Sequence, residues 1–215
     1  MKKQPSEWRI VCDKSVFERC QRDPTFPFIV ALARVVNALN TSHSLIERKF
    51  KLDTPEVVRN RMNSFLFSSA LLYEGIVLVR KMKKLFAGED VFEKGLWMLL
   101  RDPVAQRVEQ THLKAARNHA VFHFLPDKFE WAIRAENHPS CVFISARGEK
   151  NKHVHFAYAD VVAAEMLVGI PSDKTEFWPA VRRASEETGA LVVRFAQGAE
   201  ELIVPHLRMW GFHQE

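Results

Sequence analysis

The chain has 215 residues, an apolar fraction of 47% and a formal net charge of +5, which is enough apolar material for a sizeable core in one large domain or two small ones. The mild basic excess permits an anionic partner such as nucleic acid without demanding one. Three cysteines (Cys12, Cys20 and Cys141) with no CxxC spacing argue against a disulfide framework or a cysteine-rich zinc site, and for a reducing compartment.

The opening stretch MKKQPSEWRIVCDK is basic but lacks an apolar core like that of a signal peptide. Contiguous apolar runs are far shorter than the roughly 20 residues of a membrane span. The expectation is a cytoplasmic protein with no membrane partner. Residues 1–25 are polar and carry no clear period. From Phe28 to about Ser44, Phe28, Leu32, Val35, Val36 and Leu39 recur at steps of three and four and predict an amphipathic helix. Asp53-Thr54-Pro55-Glu56 is a helix start, and the helix it opens runs to about Phe86, stopping at Ala87-Gly88. Its middle, FLFSSALLYEGIVLV, is nearly all apolar and marks the central, most buried helix.

A short amphipathic piece follows over Val91 to Leu100. Asp102-Pro103 opens the next helix, predicted to end at Pro126, and residues 127–136 add a turn or two. The pattern then changes: CVFISARG and HVHFAYADVV, separated by residues 149–152, read as a β-hairpin. Its tip carries Arg147, Lys150 and Lys152, which suit either a nucleic-acid backbone or a solvated turn. Helix resumes over Asp160 to Val168 and breaks at Gly169-Ile170-Pro171. A last helical region begins near Ser172 or Pro179 and fades before Pro205, with interruptions at Gly189 and Gly198. The reading is a mainly α bundle with a small inserted β-hairpin, in a single domain covering 1–215. Trp97, Trp131 and Trp178 are expected in core or dimer contacts.

Chemistry concentrates in residues 117–123, Arg-Asn-His-Ala-Val-Phe-His. Arg117 offers a permanent planar cation that fits phosphate oxygens, Asn118 an amide, and His123 a group that titrates near neutrality. RNA carries its own nucleophile, the 2′-OH, beside the scissile phosphate. A protein need only move protons and stabilise the charge on phosphorus. Arg117 would then bind the phosphate, Asn118 orient, and His123 transfer the proton. On one ideal helix six residues span about 9 Å and leave the two side chains about 120° apart. Arg117 and His123 therefore require a distorted helix or a second copy of the chain. His123 precedes Pro126 near a helix C-terminus, which favours its protonated form.

The RNxxxxH pattern of Arg117, Asn118 and His123, together with the preceding SFLFSSALLYEG helix that places Glu74 in an apolar run, resembles the HEPN superfamily. The resemblance covers about residues 25–130 and leaves the hairpin and C-terminal helices, about 137–215, as an elaboration. It implies a helical bundle that forms a homodimer and cleaves RNA as a metal-independent endoribonuclease, without a cofactor. Toxin or defence roles, with an antitoxin or regulatory protein as partner, come with it. Some members carry a tyrosine two residues after the motif histidine as a modification site; here that position is Leu125. The alternative is a non-catalytic helical dimer that binds RNA or a protein partner.

Plainer readings stand beside these. Arg117 can serve simply as an ion-pair partner, and His123 as a packed histidine. Glu74 either faces solvent or meets an arginine, for which Arg117 is the named candidate, because a lone buried carboxylate is costly. His119 supports the site from the same helix, four residues before His123 and seven after His112. Two histidines without an HExxH pattern do not make a zinc site, and no metal is assigned.

Overall fold

The computed structural model describes residues 9–47, 55–122, 126–133, 157–169 and 173–214. Their architecture is mainly α with one two-stranded sheet. The expected hairpin strands at 141–156 lie outside the described residues. Tyr158, expected on the second of them, is instead helical.

The chain opens with a short strand, β1 (Ile10–Val11), and a helix, α1 (Lys14–Cys20). The amphipathic helix α2 covers Phe26–Glu47, and the apolar helix α3 covers Pro55–Met82. α3 ends four residues before the predicted stop, in a turn over 83–88 where Gly88 takes φ 87°. Its segment Arg59–Met82 is long and apolar enough to cross a membrane by length and composition, although its contiguous apolar runs are short. Its apolar window is 61% buried inside the bundle, so packing already accounts for its apolarity.

α4 (residues 90–101) and α5 (residues 103–121) are not regular helices. α4 contains a π turn at Glu93–Trp97, and α5 contains two, at Glu109–Leu113 and Ala116–Val121. The start of α5 is as the sequence indicates: the Asp102 carboxylate accepts from the Val104 amide at 2.8 Å and Pro103 takes the first helical position. α6 is Pro126–Ile133, and α7 is Ala157–Val168, closed by Gly169 at φ 77°. The last helix, α8, runs unbroken over Phe177–Met209, through Gly189, Gly198 and Pro205. Each internal glycine costs only about 1 kcal/mol of helix propensity. Burial of a face that includes Phe177, Val181, Leu191, Phe195 and Leu202 outweighs that. Pro205 falls within about a turn of the end, where few downstream residues depend on the ladder. After α8, β2 (His213–Gln214) pairs antiparallel with β1, with Ile10 opposite Gln214.

α3 is central: it packs against α2, α5, α7 and α8. Its contact with α2 is tightened by a serine clasp. The Ser64 hydroxyl donates to the Ser42 carbonyl at 2.9 Å, the Ser42 hydroxyl to the Ser64 carbonyl at 3.2 Å, and the Ser68 hydroxyl to the Ser42 hydroxyl at 3.0 Å. Buried side chains form two clusters. One joins α2, the second half of α3, α4, the first half of α5 and the second half of α8 around Phe86, Phe92 and Phe195. The other joins the first half of α3, the end of α5, α7 and the start of α8 around Phe65 and Phe177.

Two glycines separate packing from propensity. A Cβ on Gly75 would meet Phe195 Cζ at 2.6 Å and Val35 Cγ1 at 3.1 Å, whereas one on Gly189 would meet nothing within 4 Å. Gly75→Ala should destabilise: overpacking costs about 1–3 kcal/mol against roughly 1 kcal/mol of helix propensity gained. Gly189→Ala should stabilise by about 0.5–1 kcal/mol. Urea unfolding of both variants checks the opposite signs.

Candidate functional site

The first five residues of the 117–123 segment lie in the second π turn of α5. A π turn closes i→i+5 hydrogen bonds and so holds one residue more than an α turn. Arg117 thus sits in a turn wider than that of an ideal helix. The helix also stops at Val121, earlier than predicted, and Phe122 is already bent at φ −104° and ψ −20°. His123 lies outside the described residues.

The structure brings Arg117 and Glu74 together. Arg117 Nε donates to Glu74 Oε1 at 2.7 Å, across the α3–α5 contact. Arg117 Nη1 donates to Asn118 Oδ1 at 3.2 Å. Side chains of adjacent residues do not face one another on a regular helix, so this contact belongs to the widened turn. The result is a half-buried guanidinium held by a carboxylate on one side and an amide on the other. His119 follows, half-buried, and its enclosed Nδ1 has no hydrogen-bond partner among the described residues. His112 is occupied differently: its Nδ1–H donates to the Leu167 carbonyl at 2.9 Å and ties the end of α7 to α5.

One turn-pair away along the same contact, Arg80 and Glu109 form a two-pronged ion pair, both bonds at 2.6 Å. Hydrogen bonding to Glu109 holds the Arg80 guanidinium more firmly in its charged form. The two pairs differ in burial. The Glu109 side chain is 6% exposed and that of Arg80 45%, whereas Arg117 and Glu74 are 36% and 41% exposed. Among the described residues no three His, Cys, Asp or Glu side chains gather into a metal-binding group.

No protein-family model matches the chain, and neither a curated protein nor a solved structure matches it. The chemistry of the site therefore rests on its own residues. A guanidinium fixed at one edge by a carboxylate is oriented for a planar, anionic group. The same carboxylate offsets part of its charge, so the pair fits a phosphate contact and a plain interhelical tie alike.

Sequence reasoning missed Glu109 and Glu165. Glu109 was legible in principle: with Glu74 and Arg117 assigned to antiparallel helices, Arg80 and Glu109 fall opposite each other. Glu165, in α7, is 0% exposed, and burial pushes its carboxyl up to about 7. It lies in an AYADVVAAEMLV helix whose acidic residues read as ordinary surface charge.

Arg80→Ala strands a buried carboxylate and should cost about 3 kcal/mol, the low end of the range for broken buried pairs because Arg80 itself is half-exposed. Arg117→Ala breaks a half-exposed pair and should cost only about 0.2–1 kcal/mol. Chemical unfolding of the two variants side by side separates them. For Glu165 the folded value lies above the ordinary 4.5, so the folded protein holds this proton more tightly than the unfolded chain does. Its contribution to stability is full below about pH 4.5, is lost as pH rises to about 7, and is flat above. Glu165→Gln should remove that slope, and its advantage over wild type should grow across the same window in pH-resolved thermal melts.

Proposed function

We propose that the chain is a metal-independent endoribonuclease of HEPN type, with a toxin or defence role as its setting. The observation that carries this reading is the Arg117, Glu74 and Asn118 constellation in a π turn at the end of α5. π turns inside helices are frequent at functional positions because they re-aim side chains that a regular helix would spread. In this reading Glu74 positions Arg117, whose guanidinium binds the scissile phosphate and stabilises the charge that builds on it. Asn118 keeps the guanidinium oriented, and His123 transfers the proton as the 2′-OH attacks and the 5′ oxygen leaves. No metal enters, because the nucleophile comes from the substrate and the cation from Arg117.

A second reading, a non-catalytic helical module that binds RNA or a protein, is favoured by the same ion pair, since Glu74 already compensates Arg117. The two separate in one experiment. Total RNA is incubated with the protein in EDTA, beside Arg117→Ala and His123→Ala. Cleavage by the wild type, reduced by a factor on the order of 10² or more in each variant, supports the nuclease. Retention on RNA without cleavage supports the module. Cleavage that survives His123→Ala removes the proposed proton transfer.

A further inference from the structure

His206, in the last turn of α8, is buried, and both of its ring nitrogens face acceptors. Nδ1 lies 2.8 Å from the Leu202 carbonyl, one turn back. A carbonyl can only accept, so Nδ1 carries a proton. Nε2 lies 3.3 Å from Glu89 Oε2. An ionised carboxylate is also acceptor-only, so this contact is favourable only when Nε2 is protonated as well. The ring that satisfies both neighbours is the imidazolium. Its place suits a cation, because the C-terminal end of a helix favours positive charge. Phe86 and Trp210 flank the ring, with centroids at 5.4 and 5.7 Å, and keep water from it.

Two carboxylates face His206 from two other stretches of the chain. Glu89 belongs to the turn that opens α4. It holds the N-cap position of that helix, yet its side chain makes no cap hydrogen bond and turns to His206 instead. Asp23 belongs to the segment before α2 and accepts from Trp210 Nε1 at 3.1 Å. Its carboxyl is held below its usual range first by the Thr25 hydroxyl and least by the charge on His206. Neither Glu89 nor Asp23 has an ion pair with a lysine or arginine among the described residues.

We propose that His206 is a proton-operated clasp that holds the start of α4 to the end of α8. With both nitrogens protonated, the ring ties Glu89 down. When Nε2 gives its proton to solvent, its lone pair faces the Glu89 carboxylate and the tie becomes a repulsion. The Nδ1 proton stays, because the Leu202 carbonyl still needs a donor. The Glu89 carbonyl accepts from the Glu93 amide at 2.9 Å in the first turn of α4, so release of Glu89 loosens the entrance of that helix. The protonated ring has partners in the fold that it lacks in the unfolded chain. The clasp is therefore complete between the ordinary carboxylate and imidazole ranges, about pH 5 to 6, and is lost as pH rises and the ring deprotonates. It uses none of the residues of the 117–123 site and stands independently of the RNA-cleavage reading.

Hydrogen exchange on the full chain, corrected for the base catalysis of exchange itself, tests the clasp at about pH 5.5 and 8.5, either side of the imidazole range. Wild-type protection over residues 86–93 should fall by about threefold or more between the two, the size of a charge effect at a helix C-terminus. Glu89→Gln keeps the shape and removes the negative charge. It should lower protection at the acid pH and flatten or reverse the change, since a glutamine amide can donate to a bare Nε2. The Glu89 side chain is 40% exposed, so the fold tolerates the variant. Glu165, with its carboxyl pushed up to about 7, titrates in the same range but enters both proteins alike and cancels in the comparison. Nitrogen NMR of the ring gives a second readout: the neutral form should keep its proton on Nδ1. Wild-type protection that does not change with pH overturns the proposal. So does a change that Glu89→Gln leaves undiminished, or a neutral ring protonated on Nε2.

Discussion

Burial of α3 is the constraint on which the other elements depend. A helix with an apolar middle must be covered on nearly all sides, and every polar group it carries must then be matched or reach solvent. α2 covers one side, where Ser42, Ser64 and Ser68 satisfy one another and their small size lets the backbones approach. α5 covers another, where Glu74 and Arg80 of α3 meet Arg117 and Glu109. These two pairs fix the register of α5. Eight residues of α5, from 109 to 117, are spanned by six residues of α3, from 74 to 80. Over that stretch α5 holds the whole of its first π turn and the start of its second.

The two pairs then divide the work. Arg80 and Glu109 hold a buried carboxylate whose desolvation makes the partner indispensable to the fold. Arg117 and Glu74 lie at the wetter end of the same contact, where an ion pair contributes little to stability. There the Arg117 guanidinium is held by Glu74 and Asn118.

Much of the helical frame could be read from the sequence, because helices with one buried stripe announce themselves through a period near 3.6. The start at Asp102-Pro103 and the central place of α3 follow from capping chemistry and apolar density. Arg117 was the named candidate partner for Glu74 beside a solvent-facing alternative, and the two do pair, although Glu74 stays 41% exposed. Three features could not be read. Gly189 and Gly198 looked like breaks in α8, since sequence shows a glycine's propensity cost but not the contact it permits; Gly198 is where α4 crosses. The π turns were hidden because a single extra residue per turn shifts the apolar pattern by less than its normal irregularity. The β1–β2 pair joins residues about 200 apart, and two-residue strands carry no alternation to detect. For the candidate site, residue types and helix were legible, but the winding that decides which side chains meet was not.

The charge pattern along α8 carries this logic to the other end of the molecule. Charges that α8 turns toward α5 are matched in place: Glu187 by Arg107, and Arg194 by Asp102, whose carboxyl is held below its usual range first by the Arg194 hydrogen bond. Past Gly198 the helix faces α4, whose own Asp90 and Lys94 pair with each other and leave nothing for Glu200 or Arg208. An exposed charge needs no partner, because water solvates it at little cost.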